Sequence, residues 1–202
     1  MPAVNRDLHG MVPDASPVAL LLLDVINDLD FDGGRRLLTY ARPAARRIAA
    51  LKARAKRRGI PAIYVNDNYG RWQSDFQRLV RHCLEDDVPG RALVELLRPE
   101  DDDYFVLKPK HSGFFSTTLD ILLQYLGTKA VVLAGMAANI CVLFTANDAY
   151  MRDLHLAVPS DCVASNTEEV NRYALDQMRK VLKADTRPST ELSFQALALK
   201  EA

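Results

Sequence analysis

Residues 130–151 read AVVLAGMAANICVLFTANDAYM, an apolar run followed by a glycine and a helical pattern. A short run that is apolar throughout is typical of a strand covered on both faces of a sheet, and we predict a strand over Ala130–Leu133. Cys141 lies near the start of the helix that follows. A lone cysteine in an apolar helix is more often a packed core residue than a nucleophile, so this stretch alone leaves both interpretations open.

The same pattern recurs along the chain, where short apolar runs alternate with helical patterns. The other predicted strands are Val18–Leu23, Ile60–Val65, Tyr104–Leu107, His155–Val158 and a short sixth strand around Ala184–Thr186. The other predicted helices are Ala41–Arg58, Asp75–Leu84, Arg91–Leu97, Glu168–Leu182, Glu191–Leu199 and one between the N-cap candidates Ser116–Thr118 and Gly127. Such alternation predicts an α/β fold with parallel strands joined by right-handed helical crossovers.

Length and composition favour one globular domain without a nucleic-acid partner. The chain has 202 residues, is 49% hydrophobic and carries a formal net charge of zero. A neutral chain offers no overall positive field for a phosphate backbone. The basic run KARAKRR at 52–58 lies on a predicted helix, and we interpret it as a solvated face. We predict an N-terminal arm over 1–16 and a single domain over 17–202.

The cysteines and the absence of long apolar runs indicate a cytoplasmic protein. An odd count of three cysteines without close pairs argues against a disulfide framework and for a reducing compartment. Cys83 and Cys162 are interpreted as structural. The first residues lack the apolar stretch of a signal peptide, and the longest apolar run is too short to span a bilayer, so we predict no membrane association.

Three chemically useful side chains follow three different predicted strands. Asp24 follows the first strand, Lys108 the third and Cys141 the fourth, and the carboxyl ends of parallel strands meet at one edge of a sheet. A cation and a helix start can stabilise a thiolate, and a carboxylate can take the thiol proton. Singly, Asp24 could be a cap and Lys108 an ordinary surface lysine. The joint placement favours a catalytic triad over a non-catalytic α/β module.

Five motifs, in this order, resemble the isochorismatase-like cysteine hydrolase superfamily over roughly residues 18–187. They are LLLDVINDL (21–29), NDNYGRW (66–72), VLKPKHSGFFSTTLD (106–120), GMAANICVLFTANDAYMRDL (135–154) and VPSDCVAS (158–165). The resemblance implies a Rossmann-like, three-layer α/β/α fold with a six-stranded parallel sheet. It also implies a small-molecule amide substrate and a homo-oligomer, either a dimer or a tetramer.

The resemblance also assigns roles to residues of this chain. The catalytic aspartate, lysine and cysteine of the superfamily match Asp24, Lys108 and Cys141. A cis peptide common in the superfamily falls at Met136–Ala137, and the implied oxyanion hole consists of the backbone N–H groups of Ala137 and Cys141. The loops beside the triad supply candidate substrate-binding residues, although these side chains could equally seal the loop core; they are Leu29, Asn68, Trp72, Phe114 and Phe115.

Departures from the superfamily patterns narrow the expected chemistry. Nicotinamidases resemble a pattern with an aspartate and several histidines after the second strand, where a metal binds, but residues 66–76 contain no histidine. Asp67 alone is a poor metal set, so we predict no metal and no cofactor. True isochorismatases of the superfamily lack the cysteine that is present here. We therefore expect a cysteine hydrolase that cleaves a C–N bond of a small amide or ureido substrate through a thioester. An isochorismatase-type hydrolase of another metabolite and a catalytically silent ligand-binding module remain the alternatives.

Overall fold

Six parallel strands form one sheet at the centre of the computed structural model, which describes residues 15–70 and 75–199. In chain order they are β1 (Val18–Leu23), β2 (Ala62–Asp67), β3 (Tyr104–Lys108), β4 (Ala130–Met136), β5 (His155–Ala157) and β6 (Val163–Ala164). The spatial order is β3–β2–β1–β4–β5, and the short β6 also pairs with β4. All of these pairings are parallel, which confirms the predicted six-stranded parallel sheet.

Helices cover both faces of the sheet. They are α1 (Gly34–Lys56), α2 (Phe76–Glu85), α3 (Arg91–Leu96), α4 (Leu119–Leu126), α5 (Leu143–Tyr150), α6 (Glu168–Lys180) and α7 (Phe194–Ala198). Successive side chains of a strand point to opposite faces. Leu20 and Leu22 of β1 therefore pack in the core beneath α1 and α2, whereas Leu21 and Leu23 pack in the core beneath α4, α5 and α6. This arrangement confirms the three-layer α/β/α fold. Among the described residues, no helix combines the length and the apolar character needed to cross a membrane.

The sixth strand does not lie where the sequence predicted it. Instead of a strand at Ala184–Thr186, Asp185 makes one isolated parallel bridge to Ala157. The sixth strand is β6, which pairs with Gly135 and Met136 at the carboxyl end of β4. Pro159 has no N–H to continue a ladder, so β5 ends early and a helical turn returns the chain to the sheet at β6.

Helix α1 begins earlier than predicted, at Gly34 rather than at Ala41. Proline usually occupies the first turn of a helix. In the structure Pro43 lies inside the helix, where it removes one backbone hydrogen bond. The preceding turns remain helical because Leu37, Leu38 and Ala41 continue the buried face of α1.

The basic run at 52–58 is only partly a solvated face, which corrects the sequence interpretation. Lys52 is only 5% exposed. Its Nζ donates to Tyr64 Oη at 3.0 Å and to Asp103 Oδ2 at 2.5 Å. A buried ammonium needs such partners, because an unpaired buried charge is very costly. The run therefore contributes a buried ion pair as well as exposed charges.

The last residue of the predicted arm, Ser16, contacts the folded domain. Ser16 was assigned to the arm, but it is buried, and its amide donates to Leu126 O at 2.8 Å. Its carbonyl accepts a hydrogen bond from Thr128 Oγ1 at 3.1 Å. These contacts attach Ser16 to the connection between α4 and β4. Residues 1–14 of the predicted arm lie outside the described residues, as does the candidate pocket residue Trp72.

Candidate active site

Asp24, Lys108 and Cys141 lie together at the carboxyl edge of the sheet. The Lys108 ammonium is 2.9 Å from Asp24 Oδ2 and 3.4 Å from Cys141 Sγ. A side-chain hydrogen bond also joins Asp24 to Cys141. The three residues that the sequence placed at different strand ends thus form one contacting cluster.

The turn after β1 fixes the position of Asp24. Asp24 has φ +50, in the left-handed region that aspartate tolerates better than most residues. Its amide donates to Val65 O at 3.0 Å, and its Oδ1 accepts from the amide of Asp67 at 2.7 Å. Gly135 passes so close to Leu23 that an added Cβ would lie 2.0 Å from the Leu23 carbonyl oxygen. Only glycine allows β4 to approach β1 this closely at the site.

Strand register brings a second carboxylate to Lys108. The last residue of β2, Asp67, is the register partner of Lys108, the last residue of β3. Lys108 is 0% exposed, and its Nζ lies 3.4 Å from Asp67 Oδ2. The buried ammonium therefore has two carboxylate partners, one at Asp24 and one at Asp67.

Cys141 lies in a π-helical turn, Ala138–Val142, between β4 and α5. Thr145 Oγ1 donates to the Cys141 carbonyl at 2.6 Å and accepts from the amide of Gly113 at 2.9 Å. Thr145 thereby connects the turn that holds the thiol to the loop after β3. The peptide bond Met136–Ala137, directly before this turn, is cis.

Burial dominates the electrostatics of the cluster. The pKa of the Cys141 thiol is raised to about 12, chiefly by burial and next by the Asp24 carboxylate, while Lys108 acts in the opposite direction. Burial also raises the pKa of Asp24, although the Lys108 ammonium opposes this effect. Burial would lower the pKa of Lys108, but the anionic partners, Asp24 first, overcome it and raise that pKa. The raised pKa of Cys141 indicates a thiol in the resting site, and the raised pKa of Lys108 indicates a protonated lysine beside it.

Two positioning contacts were not predicted from the sequence. Ser165, which is fully buried after β6, donates to Asn139 Oδ1 at 2.9 Å and so braces the turn that holds Cys141. The contact of Asp67 with Lys108 was also missed, because Asp67 was considered only as a metal ligand. Its place at the end of β2, next to the strand that ends in Lys108, was the available signal.

The candidate pocket residues occupy different environments. Leu29 is 1% exposed within the core beneath α1, and Phe114 packs in the opposite core, where the Arg152 guanidinium lies 4.5 Å from its ring centroid. The burial of Leu29 and Phe114 supports the alternative that these side chains seal the loop core. Asn68 is buried and accepts from the amide of Gly70 at 2.8 Å. Phe115 is 52% exposed and so remains available to a ligand.

A cavity of about 740 Å³ opens beside the triad rather than over the thiol. Asp67 and Leu107, the neighbours of Lys108 in the sheet, lie in its wall together with Tyr69 and residues of α2. In the part of the chain that the structure describes, the lining includes none of the candidate pocket residues. Asp67 connects the cavity to the triad, because its carboxylate lies 3.4 Å from the Lys108 ammonium.

The residues after β2 do not fit a metal site. Within the described ranges, no three side chains of histidine, cysteine, aspartate or glutamate are grouped so that they could hold a metal ion. Asp67 instead faces the Lys108 ammonium, which supplies a positive charge beside its carboxylate.

The other cysteines differ from Cys141 in accessibility. Cys83 and Cys162 are each 0% exposed and belong to the core beneath α1, whereas Cys141 is partly accessible. Burial raises the pKa of both core thiols to about 12. A thiol reagent in solution therefore has access to Cys141 first.

Comparison with known proteins gives matches over most of the chain. The Isochorismatase domain model matches residues 18–186. YaaI of Bacillus subtilis (strain 168), an uncharacterized isochorismatase family protein, is 42% identical over 167 residues, which cover 83% of this chain and 91% of YaaI. The ureidoacrylate amidohydrolase RutB of Methylorubrum extorquens is 27% identical, with coverage of 73% and 70%. The crystal structure of N-carbamoylsarcosine amidase from Thermoplasma acidophilum is similar with a TM-score of 0.69 and 30% identity, over 87% of this chain and 98% of that chain.

Proposed function

The chain belongs to the isochorismatase family, and from that premise we propose that it is a cysteine-dependent hydrolase of a small amide or ureido substrate. The observation that carries the proposal is the contact of Cys141 with both Asp24 and Lys108. Two of the similar proteins, RutB and N-carbamoylsarcosine amidase, are amide-cleaving enzymes by name. Amide hydrolysis is therefore the activity that the family and the site jointly support.

The first step is an internal proton transfer. Because the pKa values of Cys141 and Asp24 are both raised by burial, loss of the thiol proton to solvent is unfavourable near neutral pH. Transfer of that proton to Asp24 keeps the total charge of the cluster constant, and Lys108 then faces the new thiolate. The thiolate attacks the amide carbon, which becomes tetrahedral.

The remaining steps return the proton and release the acid. Backbone N–H groups of Ala137 and Cys141 would hold the oxyanion, since amides at the start of a helical turn lack acceptors within that turn. Asp24 then protonates the leaving ammonia or amine, which leaves a thioester on Cys141. Asp24, again a carboxylate, takes a proton from the water that attacks this thioester. The C–S bond then breaks and releases the acid, and Asp24 returns the proton to the Cys141 thiolate.

A release assay tests the proposed activity. Purified protein is incubated with a panel of small amides and ureides, and the released ammonia is measured. Cys141→Ala and Cys141→Ser are assayed in parallel as matched controls. We expect release from at least one compound and a loss of at least about a thousandfold in both variants, because no other described thiol is accessible. Release that persists in both variants would contradict the role of Cys141.

Three further expectations accompany this function and stay predictions: a homo-oligomer, a cytoplasmic location and the absence of a cofactor. Sedimentation equilibrium of the full chain measures the first of these directly. The proposed chemistry does not depend on any of them, since its reacting groups all come from one chain.

A further inference from the structure

Lys108 has more negative charge around it than the proposed reaction requires. Proton transfer and thiolate formation need the ammonium and one carboxylate, Asp24. The second carboxylate, Asp67, lies 3.4 Å from the same Nζ. Lys108 and Asp24 are almost fully buried, whereas the Asp67 side chain is 32% exposed. Asp67 is thus the part of the charged cluster that an incoming molecule meets.

Among the described residues, Lys108 and the two carboxylates that contact it have a net negative formal charge. With Lys108 positive and both carboxylates ionised, the cluster has a formal charge of −1 while Cys141 is a thiol. The proposed proton transfer from Cys141 to Asp24 leaves that total unchanged. Charges in a partly buried site are screened less than surface charges, so this excess acts on any charged ligand a few ångströms away.

Asp67 is held in place at the mouth of the site. Its Oδ1 accepts from the amide of Tyr69 at 2.6 Å, while Oδ2 faces Lys108. Asp67, Tyr69 and Leu107 all lie in the wall of the 740 Å³ cavity. The pKa of the Tyr69 hydroxyl is raised by burial and further by Asp28, Asp24 and Asp67, which indicates a negative potential at this point.

We propose that Asp67 selects substrates by charge, so that the site takes neutral or positively charged amides and excludes anionic ones. This inference rests on the proposed function, and it extends that function by naming the charge class of the substrate. A cationic substrate would bring the cluster to neutrality, whereas a carboxylate-bearing one would add a second uncompensated negative charge. Asp67 is a specificity-determining residue in this scheme, and the bond chemistry stays with Cys141 and Asp24.

Thiol reagents of different charge test the proposal without knowledge of the substrate. We use three methanethiosulfonates on the full chain: the neutral methyl, the cationic 2-(trimethylammonio)ethyl and the anionic 2-sulfonatoethyl compound. In each case the Cys141 thiolate attacks the reagent sulfur, expels methanesulfinate and forms a mixed disulfide. The rate at Cys141 is followed by mass spectrometry and divided by the rate of the same reagent with 2-mercaptoethanol.

The wild-type protein and three variants give distinct expectations. In the wild type, the normalised rate for the cation should exceed that for the anion by about tenfold, as expected for one nearby charge at intermediate screening. Asp67→Asn should lower this ratio by about tenfold, and Asp67→Glu, which keeps the charge, should preserve most of it. Asp30→Asn is the matched control, because Asp30 lines the same cavity and is not among the described contacts of Lys108. Its ratio should stay within about twofold of the wild type.

Several results would overturn the proposal. A wild-type ratio near one, an unchanged ratio in Asp67→Asn, or an equal change in Asp30→Asn each removes Asp67 from charge selection. If Asp67→Asn does not fold, Asp67→Ser takes its place with the same expected loss, and the wild-type ratio should also fall when salt is raised from about 0.05 M to about 0.5 M. A ratio that is independent of salt would count against a charge effect.

The outcome is separable from that of the proposed function. Charge-dependent labelling of Cys141 needs no turnover, so it would survive if no amide released ammonia. Conversely, ammonia release from anionic and cationic amides at equal kcat/KM would leave the hydrolase proposal standing and overturn the role of Asp67.

Discussion

At the residue scale, the pKa values of Cys141 and Asp24 are both raised by burial, and this common cause determines how a thiolate can form. A free thiol with a low pKa loses its proton to water, but Cys141 has its pKa raised to about 12. The hydrogen-bonded Asp24 offers a nearer acceptor, and its own raised pKa makes it a better base than an exposed aspartate. Proton exchange within the pair therefore replaces exchange with solvent.

Replacement of Asp24 should separate thiolate formation from turnover. In Asp24→Asn the negative charge that raises the Cys141 pKa is gone while Lys108 remains, so alkylation of Cys141 by iodoacetamide should become significant at a lower pH. Ammonia release should fall by about 10²–10⁴-fold, because no group can accept and return the proton. Alkylation is mapped by mass spectrometry, and release is measured with the amide that the panel identifies.

The wild-type pH profile gives an independent check on Asp24. Since the pKa of Asp24 is raised, the rate should decline on acidification at a pH above the ordinary range near 3.8, as the carboxylate becomes protonated. Asp30→Asn should keep the wild-type profile. Unchanged turnover in Asp24→Asn would show that Asp24 does not carry the proton.

The sequence predicted the reactive side chains at the site, and it missed the residue whose role depends on how neighbouring strands are aligned. Asp24 and Lys108 could be found because each is a reactive side chain directly after an apolar run, and Cys141 because it lies near the start of the helix that follows such a run. Asp67 lies as close to the Lys108 ammonium as Cys141 does, but its partner becomes evident only when β2 and β3 are aligned. Leu29 was proposed as a pocket residue because it lies in a loop near Asp24, yet the chain turns it into the core.

At the element scale, the edge strand β3 is attached to α1 by a buried ion pair. Asp103 directly precedes β3, and its carboxylate, with a side chain only 2% exposed, contacts Lys52. Tyr64 of β2 accepts from the same ammonium and donates to Leu97 O at 2.8 Å. The sequence could not predict this, because a lysine in a basic run resembles its exposed neighbours until its partner from another element is known.

Removal of the buried carboxylate should be far more costly than removal of its exposed neighbour. We expect Asp103→Ala to lower the free energy of unfolding by about 3–5 kcal/mol, because it leaves the Lys52 ammonium buried without its strongest partner. Asp102→Ala should cost at most about 1 kcal/mol, since Asp102 is partly exposed and Lys56 keeps Glu100 and Asp103. Urea unfolding followed by circular dichroism measures both values.

A double replacement distinguishes an unpaired charge from simple loss of packing. Lys52→Met combined with Asp103→Leu removes both charges and should recover most of the stability lost in Asp103→Ala. Equal losses in the Asp103 and Asp102 variants would show that the pair contributes no more than a surface contact.

At the scale of the whole molecule, the sheet separates two cores that the helices cover from opposite sides. This layering was predictable because β1 and β4 are apolar throughout, which only a sheet covered on both faces explains. The short strands were not predictable, since β6 has two residues and depends on its position beside Gly135 and Met136. The apolar runs in the sequence therefore predicted the layers, whereas the pairing of β6 with β4 depends on the assembled sheet.

The amino-terminal limit of the folded unit follows from backbone contacts around Ser16 and Pro17. The Ser16 amide and carbonyl are both hydrogen-bonded, to Leu126 and Thr128. The Pro17 carbonyl accepts from the amides of Lys129 and Ala130 at 2.8 Å and 2.9 Å. These bonds hold the chain just before β1 against the start of β4, so the domain should need residues from Ser16 onward.

Two truncations, each with a new initiator methionine, test this limit. A chain that continues from Ala15 keeps all of these bonds and should unfold within about 2 °C of the full chain. A chain that continues from Val18 loses the Ser16 contacts and should be destabilised by about 2–4 kcal/mol, since each lost bond leaves a buried polar group without a partner. At roughly 2–4 °C per kcal/mol for a domain of this size, the midpoint should fall by about 4–16 °C in a thermal scan. If the midpoint of the Ala15 chain fell as far as that of the Val18 chain, the first 14 residues would belong to the folded unit. Those residues are the part that the Ala15 chain lacks and the full chain has.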